Sequence, residues 1–122
     1  MTVHTDLPVD IWTMRSSADR LLAPDAEAPS AQELETLTLA LKGHLAVIIP
    51  DLGRAASSRR GDDSMPRVCA RMAIAETCRK MDIEPGPAPS ARLAHARRLA
   101  RSLNALCRHY EILNDRKSEA GE

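Results

Sequence analysis

Hydrophobic residues along this chain recur at steps of three and four, the period of an α-helix, and no hairpin dipeptide of the Asn-Gly or Asp-Gly type appears. The clearest series is Leu34, Leu37, Leu41, Leu45, Ile48, Leu52 and Ala55, whose 3,4,4,3,4,3 spacing keeps one seam facing a partner helix. Leu99, Leu103, Leu106, Tyr110 and Leu113 step 4,3,4,3, and Ile11, Met14, Ala18 and Leu21 step 3,4,3. Start and stop signals bound four helices, at about 10–22, 30–59, 64–83 and 90–114. Asp10, Ser30, Asp63 or Ser64, and Ser90 stand where N-caps are needed. Ser30 and Glu33 form a capping box, in which each side chain is expected to satisfy the other residue's free N–H. Pro66 falls in the tolerated first turn of the third helix.

Six of the eight prolines lie before or between these segments, at Pro8, Pro24, Pro29, Pro85, Pro87 and Pro89. Pro50 lies inside the second helix, where it removes the hydrogen bond to the Ala46 carbonyl at a cost of about 3 kcal/mol. Because the apolar phase continues through Leu52 and Ala55, the expectation is a kinked helix rather than a broken one. The predicted architecture is therefore all-α: a single four-helix bundle-like domain over 1–122, with a polar tail at 115–122 expected to fray. At 1.5 Å per residue the second helix would be roughly 45 Å long, the fourth roughly 35 Å and the first about 18 Å. The surplus seam of the second helix must bend at Pro50 or be buried against another subunit, which predicts a homodimer or another protein partner.

Composition sharpens this. Nineteen Ala and 14 Leu stand against no Phe, one Tyr and one Trp, so aliphatic side chains must fill the core. The formal net charge is zero, from 17 basic and 17 acidic residues, which argues against nucleic-acid binding and against attraction to an anionic membrane. Residues 1–59 hold 5 bases and 8 acids while 60–122 hold 12 bases and 9 acids, a polarity that favours the halves, or two copies, packing together. Cys69, Cys78 and Cys107 form no CxxC pair and are expected to be reduced, mostly core residues. No apolar h-region opens the chain, and the longest apolar run, Leu45 to Ile49, is too short to span a bilayer, so a cytoplasmic protein is expected.

The third helix carries the candidate chemistry. At 100° per residue, Val68, Cys69, Met72, Ala75 and Ile83 share one side with Glu76 and Arg79, which points two opposite charges toward the core. They are either a structural ion pair or part of a ligand pocket, with His44 and His95 as its other candidate members. The opposite side carries Ala70, Ile74 and Met81, expected to form an interface or a Met-rich core face. His44 and Asp51 line the edge of one seam, and His95, Ser102 and His109 the edge of the other, where imidazoles could converge. There is no HExxH, no Glu-x-x-His pair of the di-iron bundles and no close Cys/His cluster, so no metal is implied. Arg97, Arg101 and Arg108 share an outer face of the fourth helix with Asn104, a solvated strip or a phosphate-binding one. Gly-rich phosphate loops and GxSxG elbows are missing, so the sequence implies neither a cofactor nor catalysis.

The string ELETLTLALKGHLAVIIPDL, with the later RLAHARRLARSLNALCRHYEIL, resembles a family of short actinobacterial proteins of unknown function loosely labelled natural product biosynthesis proteins. The likeness runs from Asp10 through Tyr110. It implies a bacterial setting near secondary metabolism and carries no catalytic residue across. The resulting expectation is a non-enzymatic helical accessory or regulatory protein acting by contact through the second and third helices. The alternatives are a small-molecule binder or enzyme using the Glu76, Arg79, His44 and His95 pocket and, last, a DNA-binding regulator.

Overall fold

The computed structural model describes residues 9–57 and 64–121, with side chains to Asp115, and contains four helices and no strand among them. They are α1 (Ile11–Leu22), α2 (Ala31–Ala56), α3 (Met65–Met81) and α4 (Pro89–Gly121). Asp10 caps α1 by accepting from the Thr13 N–H at 3.1 Å, and Ser30 caps α2 by accepting from the Glu33 N–H at 3.1 Å. The capping box closes only from the serine side. The Glu33 carboxylate instead receives Arg20 of α1, Nη2 at 2.8 Å and Nε at 3.1 Å, which fastens α1 to the start of α2.

Both ends of α4 differ from the sequence expectation, and α2 and α3 end at Ala56 and Met81, short of the expected 59 and 83. The Ala88 carbonyl accepts the Arg92 N–H at 3.0 Å, so α4 opens at Pro89 and Ser90 lies inside the first turn. A proline's missing N–H costs nothing at that first position. At the other end α4 runs on to Gly121, past the end expected near Asn114, because no proline interrupts its ladder. Pro50 sits within a continuous α2, on its solvent side, as does Ala46, whose carbonyl lacks the proline's N–H; water there can satisfy it. Asp63, the other candidate cap of α3, lies outside the described residues; Ser64 takes the N-cap position.

The core is the seam between α2 and α4. Leu41, Leu45, Ile48 and Leu52 face Leu99, Leu103 and Leu106, all fully buried. Lys42 lies near His95 and Asp51 against Tyr110, so the two helices run in the same direction. α1 runs the opposite way to both, since Arg20 near its end meets Glu33 at the start of α2 and the earlier Ser17 meets His44 further along. It packs on α4 with Met14 Sδ 4.0 Å from Cys107 Sγ and Arg15 Nη2 2.6 Å from Glu111 Oε1. Helix α4 packs against all three others, and α1 and α3 do not touch. This explains why α4 is buried over a wide arc, Ala96, Ala100, Ser102 and Cys107 in addition to its leucines.

Helix α3 is rotated relative to the sequence expectation. Ala70 and Thr77 are buried and Ala73, Ile74 and Met81 pack against the core, so Ala70, Ile74 and Met81 are core-facing rather than an interface. Cys69, Met72, Ala75, Glu76, Cys78, Arg79 and the following Ile83 are exposed. Two interactions fix the rotation. Arg67 Nη1 donates to the Ala55 carbonyl at 2.7 Å and Arg71 Nη1 to the Ala56 carbonyl at 3.1 Å, satisfying the open end of α2. Thr77 enters the core because its hydroxyl donates to the Ala73 carbonyl of its own helix at 2.8 Å. Two of the three cysteines, Cys69 and Cys78, are consequently at the surface and only Cys107 is in the core.

The seam makes a quantitative demand. Leu45→Ala should lower the unfolding free energy by about 3 kcal/mol, the cost of a cavity in a closed core, whereas Leu39→Ala on the opposite side of α2 should change it by less than about 0.5 kcal/mol. Urea denaturation of both variants checks this.

Candidate functional site

Among the described residues the surface offers two exposed apolar helix faces and a polar cleft. On α2 every exposed position between Thr36 and Pro50 is uncharged: Thr36, Leu39, Ala40, Gly43, Ala46, Val47 and Pro50. Leu39 is 65% exposed and Val47 46%. Gly43 lies at the middle of this face, where a Cβ would meet no atom within 4 Å. A glycine inside a helix costs about 1 kcal/mol relative to alanine, and packing within the chain gives no reason for one there. On α3 the exposed apolar groups are Met65, Met72 and, just past the helix end, Ile83. Trp12 on α1 is 74% exposed.

The cleft lies between α1 and α4, has a volume of ≈ 370 Å³ and is lined by Arg15, Asp19, Asn104, Ala105 and Arg108. It offers both charge signs to a small ligand. Behind it, burial pushes the Cys107 thiol up to about 11, with the neighbouring Arg15 opposing the shift, so this sulfur stays protonated and unreactive in the folded protein. Arg15 Nε and Asn104 Oδ1 are buried there without a hydrogen-bond partner.

The four residues expected to share a pocket stand apart from one another. Glu76 and Arg79 project into water on the outer face of α3, where Glu76 Oε2 is 3.8 Å from Lys80 Nζ of its own helix. His44 faces α1, its Nε2 3.1 Å from the Ser17 hydroxyl. His95 is 4% exposed, near Lys42 of α2 and Glu84 of the linker. The rotation of α3 takes Glu76 and Arg79 out of the quartet, and His44 is turned toward α1, which α3 does not touch. Nor do the histidine rows converge: Ser102 accepts from Lys80 Nζ at 3.5 Å, and Asp51 pairs with Arg54. No three His, Cys, Asp or Glu side chains among the described residues gather as a metal would require. Of the helix-four arginines, Arg101 and Arg108 are exposed and Arg97 half-buried, an open strip of the outer face. No helix of the described residues is long and apolar enough to cross a membrane.

A sequence model of DUF6415, a family of unknown function, matches residues 12–115, from the first turn of α1 to the last described side chain of α4. The chain belongs to this family. No curated protein and no solved structure matches it. For this DUF6415 protein, the features that sequence reasoning missed are the α1–α4 cleft and the tethers Arg67 and Arg71. The tethers had a weak signal, two arginines four apart in the first turns of the helix that follows α2. The cleft had none, because it depends on which helices neighbour each other.

The buried imidazole makes stability depend on pH. Burial, with Lys42 and then Arg98 adding to it and Glu84 opposing, holds His95 below the ordinary value of 6.5, and its Nε2 has no hydrogen-bond partner. Burial and Arg108 lower His109 too. The unfolded chain therefore takes up these protons first as pH falls. Stability should be complete above about pH 6.5 and decline below it until the folded-state values are passed. Denaturant unfolding at pH 8.0 and pH 5.5 should show the loss, and His95→Gln should flatten it; an unchanged slope in that variant would remove His95 as its source.

Proposed function

We propose that this protein is a non-enzymatic helical accessory module, regulatory in role, that acts by binding another protein across the outer face of α2. What carries the reading is the uncharged run from Thr36 to Pro50, exposed along about 21 Å of helix, with Gly43 at its centre. A partner helix laid on this face could approach most closely at Gly43, and that approach supplies the reason for the glycine that the chain's own packing lacks. Contact through small residues and scattered Leu and Val side chains is how an amphipathic helix is received by a groove or face of matching shape. The resemblance of the α2 and α4 segments to small actinobacterial proteins labelled by natural product biosynthesis sets this module, in our reading, in the cytoplasm of such a cell beside secondary metabolism. The dispersal of Glu76, Arg79, His44 and His95 leaves the small-molecule alternative without its expected pocket.

Affinity capture from the native host with three baits tests the proposal: the natural protein, Leu39→Glu and Gly43→Leu. The second variant should raise the helix propensity of α2 by about 1 kcal/mol while filling the point of closest approach. A partner recovered by the natural protein and lost by both folded variants is the expected result. The same set of proteins recovered by all three baits would refute the role of this face.

A further inference from the structure

The outer face of α3 has the composition of a coiled-coil seam, yet it is turned to water. Met65, Cys69, Met72, Glu76, Arg79 and Ile83 step 4,3,4,3,4, the a and d spacing of a heptad, and all six are exposed. Asp82 at the C-cap keeps αR geometry and the Ile83 N–H reaches the Lys80 carbonyl at 3.2 Å, so Ile83 continues the line of the helix. Met65 and Met72 are 70% and 66% exposed. The two charges in this seam are opposite and adjacent. Glu76 makes only a loose 3.8 Å contact with Lys80, and the Arg79 side chain has no hydrogen bond or ion pair among the described residues.

We propose that this face receives a second copy of the same chain, with the two α3 helices antiparallel about a two-fold axis between Thr77 and Cys78. In an antiparallel pair, a positions meet d positions in layers. Only one register of this seam puts Glu76 against the second copy's Arg79, and symmetry then repeats the pair on the other side of the axis. The same register places Met72 against the second copy's Ile83 at both ends, closing the two ion pairs between apolar layers. Shifting by one heptad step sets Glu76 against Met72 and Arg79 against Cys69, which strips both charges of water without a partner and is costly. The charges therefore choose the occupant and its register, while Met72 and Ile83 supply the apolar contact. Four layers span about 16 Å, a small interface, so the dimer forms reversibly at micromolar to millimolar concentrations.

Sedimentation velocity over that concentration range, with circular dichroism to confirm folding, tests the proposal on the full chain. The natural protein should show a monomer–dimer equilibrium. Glu76→Arg or Arg79→Glu alone sets like charges opposite each other twice per dimer and should raise the dimer Kd about tenfold. The double swap Glu76→Arg with Arg79→Glu should restore it to within about threefold. Met72→Glu should abolish association and Leu39→Glu leave it unchanged, which separates this surface from the α2 face. Because these side chains are exposed in the single chain, every variant should fold. A natural protein that stays monomeric at millimolar concentration, or a double swap no better than its single swaps, would overturn the proposal.

Discussion

Withdrawal from water of the leucines shared by α2 and α4 is the interaction on which the remaining structure rests. Leu41, Leu45, Ile48 and Leu52 meet Leu99, Leu103 and Leu106, and each fully buried side chain contributes roughly 2 kcal/mol relative to exposure. The 12-residue α1 and the 17-residue α3 are of lengths marginal as isolated helices. They persist because α4 offers each a separate side, with small groups such as Cys107 toward α1 and Ser102 toward α3 that let a neighbour approach. In a chain without phenylalanine, this close approach of aliphatic helices replaces the volume that rings would supply.

That arrangement leaves surface unspent. With α1 and α3 kept apart by α4, neither wraps the far side of α2, and α3 itself is held from one side only. Most of the large apolar groups that remain in water therefore lie on the outer faces of α2 and α3, with Trp12 on α1 and Ile112 on α4 apart from them. The four residues expected to form a pocket are scattered: Glu76 and Arg79 outside, His44 against Ser17, His95 beside Lys42. Concentrated apolar surface is the ground on which we propose contact with another protein.

The seams of α1, α2 and α4 could be read from sequence because each helix has one dominant apolar stripe, and Asp10 and Ser30 mark their starts in the usual way. Helix α3 could not be oriented by the same rule, since Met72 and Cys69 on one side and Ile74 and Met81 on the other weigh nearly equally. Its rotation is decided by tertiary contacts, Arg67 and Arg71 on the carbonyls that end α2, and by Thr77 hiding its hydroxyl on its own backbone. The expected pocket failed with that rotation. Glu33 shows the same thing on a smaller scale: the motif predicted a bond to Ser30, and Arg20 on a neighbouring helix claimed the carboxylate.

The three native cysteines report both halves of the account at once. Cys107 lies in the α4 core with its thiol pushed up to about 11, and Cys69 stands on the face of α3 that the opposite rotation would bury. Titration of the folded, dilute protein with an aromatic disulfide reagent should therefore release two equivalents promptly, from Cys69 and Cys78, and the third only on unfolding. Prompt reaction of Cys107, or protection of Cys69 in a chain shown to be monomeric, would contradict the packing of α3 and α4 described above.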